Sequence, residues 1–92
     1  MNFNYTYTGP DQYAPTRIYD DGSSTYFQFR PSDGPPPAIF GVRPDGQEVL
    51  LETHISQGSY VVPVVIPRFT IRQPNGVICV YNENARATMA RQ

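Results

Sequence analysis

Hydrophobic and polar positions alternate with a period of two along most of this chain, in short runs separated by breaks rich in proline, glycine and aspartate. That period belongs to strands with one buried face, not to amphipathic helices. Asn2 to Thr8 (NFNYTYT) alternates strictly, with Phe3, Tyr5 and Tyr7 on one face and Asn2, Asn4, Thr6 and Thr8 on the other. Gly9-Pro10-Asp11 closes this run, and Pro15 holds Ala14 extended. Thr16 to Tyr19 forms a short extended piece, and Asp20-Asp21-Gly22 supplies a turn whose glycine can take a positive φ. Thr25 to Phe29 follows as a strand, with Thr25, Phe27 and Phe29 facing one way and Tyr26, Gln28 and the following Arg30 the other.

Beyond Phe29, Pro31 to Pro37 (PSDGPPP) reads as a stiff connection between two sheets, in preference to a polyproline ligand for an SH3-like partner. Ala38 to Val42 and the Pro44-Asp45-Gly46 turn predict a hairpin into one strand over Gln47 to Ile55. There Val49, Leu51, Thr53 and Ile55 share a face opposite Glu48, Leu50, Glu52 and His54. Ser56-Gln57-Gly58 turns again into Tyr60 to Ile66, which is apolar on both faces and so is expected to be buried on both or covered by another chain. Pro63 lacks an amide donor and predicts an edge position or a bulge for that strand. Pro67 breaks it, and Arg68 to Gln73, Pro74-Asn75-Gly76 and Val77 to Asn82 complete a last hairpin. About eight short strands with such punctuation predict an all-β domain, an antiparallel β-sandwich or small barrel over residues 1–82. Residues 83–92 change character: Ala85, Ala87, Met89 and Ala90 favour a short C-terminal helix with Asn82 as its N-cap. Ten residues do not hold a helix alone in water, so this tail either frays or docks on a neighbour.

Composition narrows the function classes. Ninety-two residues make one domain. A net charge of −1, with the seven basic residues all arginine and none clustered, provides no footprint for nucleic-acid phosphates. No segment approaches the roughly 20 apolar residues that span a bilayer.

Catalytic and metal chemistry find little purchase. His54 is the only histidine. It shares a predicted strand face with Glu52, but no HxxxH, CxxC or Gly-x-Ser-x-Gly pattern accompanies it, so a solvated face explains it better than acid–base catalysis. Asp20, Asp21, Asp33 and Asp45 all sit in turns, and the Asp20-Asp21 pair lacks the ligand spacing of a calcium loop. No cofactor or metal is expected. Cys79 lies in VICVYN, where it faces outward if Ile78 and Val80 face the core; it is either a small hydrophobe or a thiol able to pair with another chain.

The order of these pieces resembles the C-terminal domain of the CagX/TrbG family, subunits of the outer-membrane core of type IV secretion and conjugation machines. The resemblance rests on the proline-led segment before Thr16, the Asp20-Asp21-Gly22 turn and the Thr25-Tyr26-Phe27-Gln28-Phe29 strand. It continues through Ala38-Ile39-Phe40, Pro44-Asp45-Gly46, Arg68-Phe69-Thr70-Ile71-Arg72 and Val77 to Asn82. The proline-rich 31–37 loop is the main departure. The resemblance implies a structural, non-enzymatic β-sandwich at the periplasmic face of the bacterial outer membrane. It also implies three kinds of contact: a short outer-membrane lipoprotein whose extended peptide wraps the domain, a channel-forming subunit packed alongside, and self-association into a ring. Met1 leads into no secretory signal, which on this reading makes the chain a domain excised from a longer protein.

A peptide can be captured by strand addition at a sheet edge, with backbone hydrogen bonds giving affinity and alternating pockets selectivity. The first strand is the expected receptor: Asn4, Tyr5 and Tyr7 are the first partner-binding candidates, with Cys79 and Tyr81 as a second contact. The competing reading is a carbohydrate-binding sandwich in which Tyr5, Tyr7, Tyr13 and Tyr26 stack on sugar rings. The absence of tryptophan weighs mildly against it.

Overall fold

A computed structural model of the chain describes residues 1–31 and 35–85. Among these residues nine strands form two antiparallel sheets. They are β1 (Tyr5–Thr8), β2 (Arg17–Asp20), β3 (Thr25–Gln28), β4 (Ala38–Val42), β5 (Glu48–Leu50), β6 (His54–Ser56), β7 (Ser59–Val62), β8 (Arg68–Gln73) and β9 (Gly76–Asn82). The five-stranded sheet runs β1-β9-β8-β4-β5 and the four-stranded sheet β2-β3-β7-β6. The expected sandwich is therefore present, and the 31–37 segment does connect one sheet to the other, since β3 and β4 lie in different sheets.

The alternation read from the sequence decides which side chains meet between the sheets. Thr25 and Phe27 on β3, Phe69 and Ile71 on β8, and Ile78 and Val80 on β9 are all buried. Phe27 and Phe69 meet across the sandwich edge to face, centroids 5.2 Å apart and planes at 82°. The Thr25 hydroxyl donates to the carbonyl of Val64 at 2.7 Å, so a polar group on the inner face is satisfied by the backbone next to β7. Turn chemistry is as expected. Asp21 Oδ1 accepts from the amides of Ser23 and Ser24, and Asp45 Oδ1 from Gln47. Gly9, which ends β1, has φ +126°, and a Cβ there would come within 2.6 Å of the Val77 carbonyl, so the chain leaves β1 by a route open only to glycine.

Two expected strands differ. Gln47 to Ile55 is not one strand: it breaks at Leu51–Thr53, so that β5 and β6 lie in different sheets. The Leu51 amide donates to the Ile39 carbonyl at 3.0 Å and its side chain packs against the core, which turns the chain across the sandwich. As a result Val49, Leu50 and Ile55 stay exposed. Tyr60 to Ile66 is also shorter than expected, with β7 ending at Val62 and Pro63 lying just beyond it. β7 is an interior strand between β3 and β6, so its two-faced apolar character reflects burial within this chain and not an edge.

At the C-terminal end, residues 83–85 turn helically, and Asn82 Oδ1 accepts from the Ala85 amide at 3.4 Å, the geometry of an N-cap. The rest of the expected 83–92 tail and Asp33 lie outside the described residues.

On the outer side of the five-stranded sheet, Arg72 grips Glu48 with two hydrogen bonds, Nε–Oε1 at 3.0 Å and Nη2–Oε2 at 2.9 Å. Those hydrogen bonds hold the Glu48 carboxyl below its ordinary range. A carboxyl with a depressed folded-state value stabilises the fold above the ordinary carboxylate range and loses that contribution as pH falls through the lower value. An NMR titration of Glu48 is expected to show a midpoint below that of a free glutamate, returning toward it in Arg72→Gln. An unchanged midpoint in that variant would mean the pair is not formed in solution.

Candidate functional site

The two sheets meet along two seams. One is joined covalently where β5 runs into β6. The other lies between the edge strands β1 and β2, and only its first residues are closed. Asn2 and Asp20 exchange backbone hydrogen bonds, Asn2 N to Asp20 O at 2.9 Å and Asp20 N to Asn2 O at 3.0 Å. The chain then leaves β2 and joins β9, where the Glu83 amide donates to the Asn4 carbonyl at 2.9 Å. A wedge opens between the two edges from that point.

Ladder alternation shows what lines the wedge. In an antiparallel pair, successive residues direct their backbone groups alternately to one side and the other. Asp20 points its amide and carbonyl at Asn2, so Ile18, two residues back, points its own into the open seam. Asn4 points its carbonyl at β9, as do Thr6 and Thr8 by the same alternation, and Tyr5 and Tyr7 direct theirs to the free edge. The Tyr5 amide is taken by the Phe3 carbonyl at 2.9 Å. Between the edges lies a concavity whose walls are Phe3, Tyr5 and Tyr7 on one side and Pro15 to Ile18 on the other.

The closed end of the wedge is tied by a buried polar network. Asp20, 4% exposed, accepts from the Tyr5 hydroxyl at 2.6 Å, from Asn2 Nδ2 at 3.0 Å and from the Gly22 amide at 3.0 Å. Asn2 Nδ2 also donates to Asn82 Oδ1, and Asn2 Oδ1 accepts from the Asn4 amide and from Asn84 Nδ2, so one side-chain amide joins the chain start to β2 and β9. Burial, reinforced by the hydrogen bond to Asp20, pushes the Tyr5 phenol well above its ordinary range. Tyr5 is thus a fixed, half-buried wall of the seam. Tyr7 is more exposed, and its hydroxyl donates to Asp11 Oδ1 at 2.7 Å, which raises its phenol too.

Of the candidates named from sequence, Tyr5 and Tyr7 line this seam. Asn4 is exposed and bonded through Nδ2 to Asn84 Oδ1 at 2.8 Å. Cys79 and Tyr81 lie elsewhere. Because Ile78 and Val80 are buried, both face the outer side of the five-stranded sheet, cross-strand from Thr8 and Thr6. Cys79 is half-buried, and the guanidinium of Arg68 sits 5.6 Å from the Tyr81 ring centroid. Tyr5 and Tyr7 therefore lie on the opposite face of the five-stranded sheet from Cys79 and Tyr81, and the two pairs do not form one groove.

The four tyrosines of the carbohydrate reading are likewise not gathered on one face. Tyr5 and Tyr7 face the seam, and Tyr13 packs beside Gly76. Tyr26 stacks on Tyr19 on the outside of the four-stranded sheet, centroids 4.8 Å apart and planes at 5°. His54 is exposed on β6, and among the described residues no three metal-ligating side chains converge.

Sequence reasoning placed Phe3 in the receptor strand as one of its aromatic anchors, but passed over Asn2, Arg17, Ile18 and Asp20 as members of this region. One signal was present. On β2, Asp20 shares a face with Ile18, and a carboxylate on a core face requires donors from elsewhere in the fold.

A family model described as CagX, conjugal transfer protein, matches residues 1–83. The chain is 42% identical over 80 residues to the type IV secretion system protein PtlF of Bordetella pertussis, covering 87% of this chain and 29% of that protein. It is 34% identical over 82 residues to the type IV secretion system protein virB9 of Bartonella quintana, covering 89% and 28%. It is 37% identical over 90 residues to virB9 of Brucella suis biovar 1, covering 91% and 31%. The chain thus spans 28–31% of the length of these relatives.

Proposed function

The chain belongs to the CagX family of conjugal transfer proteins, and on that premise we propose that it is a structural assembly module of a type IV secretion outer-membrane core. Its task is to capture an extended peptide, with no reaction catalysed. The peptide belongs to a short outer-membrane lipoprotein, which fixes the module at the periplasmic face of the outer membrane. The channel-forming subunit packs beside it, and copies of the full-length protein close into a ring.

The observation that carries this reading is the unclosed seam between β1 and β2. Strand addition needs an edge with free-pointing backbone groups and flanking pockets that accept alternate side chains. Tyr7 on one edge and Ile18 on the other direct backbone groups into the wedge, and Phe3, Tyr5 and Tyr7 supply aromatic surface beside them. The Asn2–Asp20 bridge is a short internal instance of the same pairing, made by the chain's own start on the β2 edge.

Calorimetry with the mature N-terminal peptide of a short outer-membrane lipoprotein from the same secretion machine tests the reading through Tyr7. Tyr7→Ala removes the ring and keeps the edge amide. Tyr7→Pro removes the ring and the amide, yet leaves the β9 ladder intact because that amide points away from β9. Tyr7→Pro is expected to bind about tenfold more weakly than Tyr7→Ala, a difference of ~1.4 kcal/mol for one lost backbone hydrogen bond. Equal affinities would rule out strand addition at this edge. Tyr5 is the poorer probe, since its hydroxyl also bonds Asp20 and truncating the side chain would mix lost stability with lost binding.

A further inference from the structure

Arg17 stands at the mouth of the seam, exposed, on the outer side of β2. Its guanidinium lies 5.5 Å from the centroid of the Phe3 ring and 5.9 Å from that of Tyr19. The ion pair found among the described residues is Arg72 with Glu48; Arg17 has no carboxylate partner there. A guanidinium resting on aromatic faces is held in place through its flat surface while its N–H groups at the edge stay available. Such a group is ready for a two-pronged contact with a carboxylate.

Cross-strand register shows where that carboxylate would come from. Asn2 pairs with Asp20, and Phe3 therefore lies opposite Tyr19, consistent with their rings meeting at 5.4 Å. Continuing that row along β2 would put one residue opposite Ile18 and the next opposite Arg17. This chain does not supply them, because Asn4 has already turned away to β9. A captured strand that continues the row presents alternate side chains, with the residue opposite Ile18 turned inward and the residue opposite Arg17 turned outward onto the guanidinium. Side chains directly opposite in an antiparallel pair have Cβ atoms about 4.5–5.5 Å apart, within reach of an aspartate or glutamate.

We propose that Arg17 is the specificity-determining residue of the seam, selecting an extended peptide that carries an aspartate or glutamate at the position cross-strand from it. This rests on the seam-capture reading and adds to it the chemical class of the captured segment. A carboxylate there neutralises the arginine, whereas a basic residue at the same place is repelled, so the site discriminates against basic strands of equal β propensity.

The test is a charge exchange on the 92-residue chain, using the lipoprotein's mature N-terminal peptide and versions of it with each acidic residue changed to arginine. Heteronuclear NMR spectra first establish that Arg17→Glu and Arg17→Gln retain the wild-type fold, which an exposed position should allow. Arg17→Glu is expected to weaken binding of the unaltered peptide about tenfold or more, with Arg17→Gln intermediate. One acidic-to-arginine peptide should bind wild type poorly and recover most of that loss with Arg17→Glu. Equal binding by wild type and Arg17→Glu overturns the role of Arg17 while peptide capture stands. A loss in Arg17→Glu that no exchanged peptide recovers also overturns it, leaving Arg17 as a wall of the seam only. A peptide that binds tightly without any acidic residue has the same meaning. Failure of the unaltered peptide to bind the wild-type chain would remove the seam-capture reading itself, and this inference with it.

Discussion

Phe69→Ala is expected to destabilise the domain by about 4 kcal/mol, within the range measured for truncating a buried phenylalanine. Phe69 is fully buried on β8, and its ring meets the equally buried Phe27 of β3 edge to face at 5.2 Å. The two strands belong to opposite sheets, so this contact joins the halves of the sandwich at their centre. Alanine leaves a cavity that the surrounding Ile39, Ile71 and Val80 can fill only by moving backbone that is already hydrogen-bonded in ladders. A domain of this size has a total stability of about 5–15 kcal/mol, so the variant should be folded but marginal. In urea its midpoint should fall with little change in slope. A loss below about 1 kcal/mol would mean that the sheets are not packed through this pair.

Asp20→Ala should have the second-largest effect, about 3 kcal/mol, for a different reason. The carboxylate is 4% exposed and is the acceptor for the Tyr5 hydroxyl, the Asn2 side-chain amide and the Gly22 amide. Removing it strands the Tyr5 hydroxyl and an Asn2 N–H in a partly buried region, while the exposed Gly22 amide can turn to water, and the cost of stranded donors exceeds the worth of the bonds themselves. Tyr5→Phe takes away one donor and leaves the carboxylate two others, so it should cost only about 1 kcal/mol. In the Asp20→Ala background Tyr5→Phe should cost less still, since the hydroxyl then has no acceptor there to lose. Equilibrium unfolding of the two single variants and the double variant reads that coupling directly. Additive losses would show that the Tyr5–Asp20 bond at 2.6 Å contributes nothing to stability.

The sandwich was legible because strand alternation and turn chemistry are local properties. A period of two puts Thr25 and Phe27 on one face, which the structure buries, and Asp21 and Asp45 accept the turn amides that their positions suggested. The corner at Leu51–Thr53 was not legible. It carries neither glycine nor proline, and what bends the chain is the burial of Leu51 and its amide's bond to Ile39, both long-range. The opposite lesson applies to Pro63. Its missing donor was read as the mark of an edge strand or a bulge, but the proline sits just past the end of β7, where no ladder bond is required of it.

The candidate site was half legible. Alternation placed Tyr5 and Tyr7 together on one face of β1, and a first strand at an edge was a sound expectation. It could not show that this face looks across at β2, nor that Tyr5 spends its hydroxyl on Asp20, 15 residues away in sequence. The same rule, applied to β9 with Ile78 and Val80 inside, sends Cys79 and Tyr81 to the outer side of their sheet. Grouping them with Tyr5 overlooked that cross-strand neighbours share a face, which pairs Tyr81 with Thr6 and Cys79 with Thr8.

The central claim is that the β1–β2 seam receives an extended peptide as an added strand, and intermolecular NOEs test it most directly. Isotope-labelled chain would be combined with the unlabelled lipoprotein peptide, and backbone contacts between the two sought. The account predicts NOEs of antiparallel or parallel strand type from the peptide to Tyr7 or Ile18, with amide shifts concentrated in residues 2–8 and 16–20. Contacts confined to Val77, Cys79, Tyr81 and Phe40 on the outer side of the five-stranded sheet, with the seam unshifted, would contradict it.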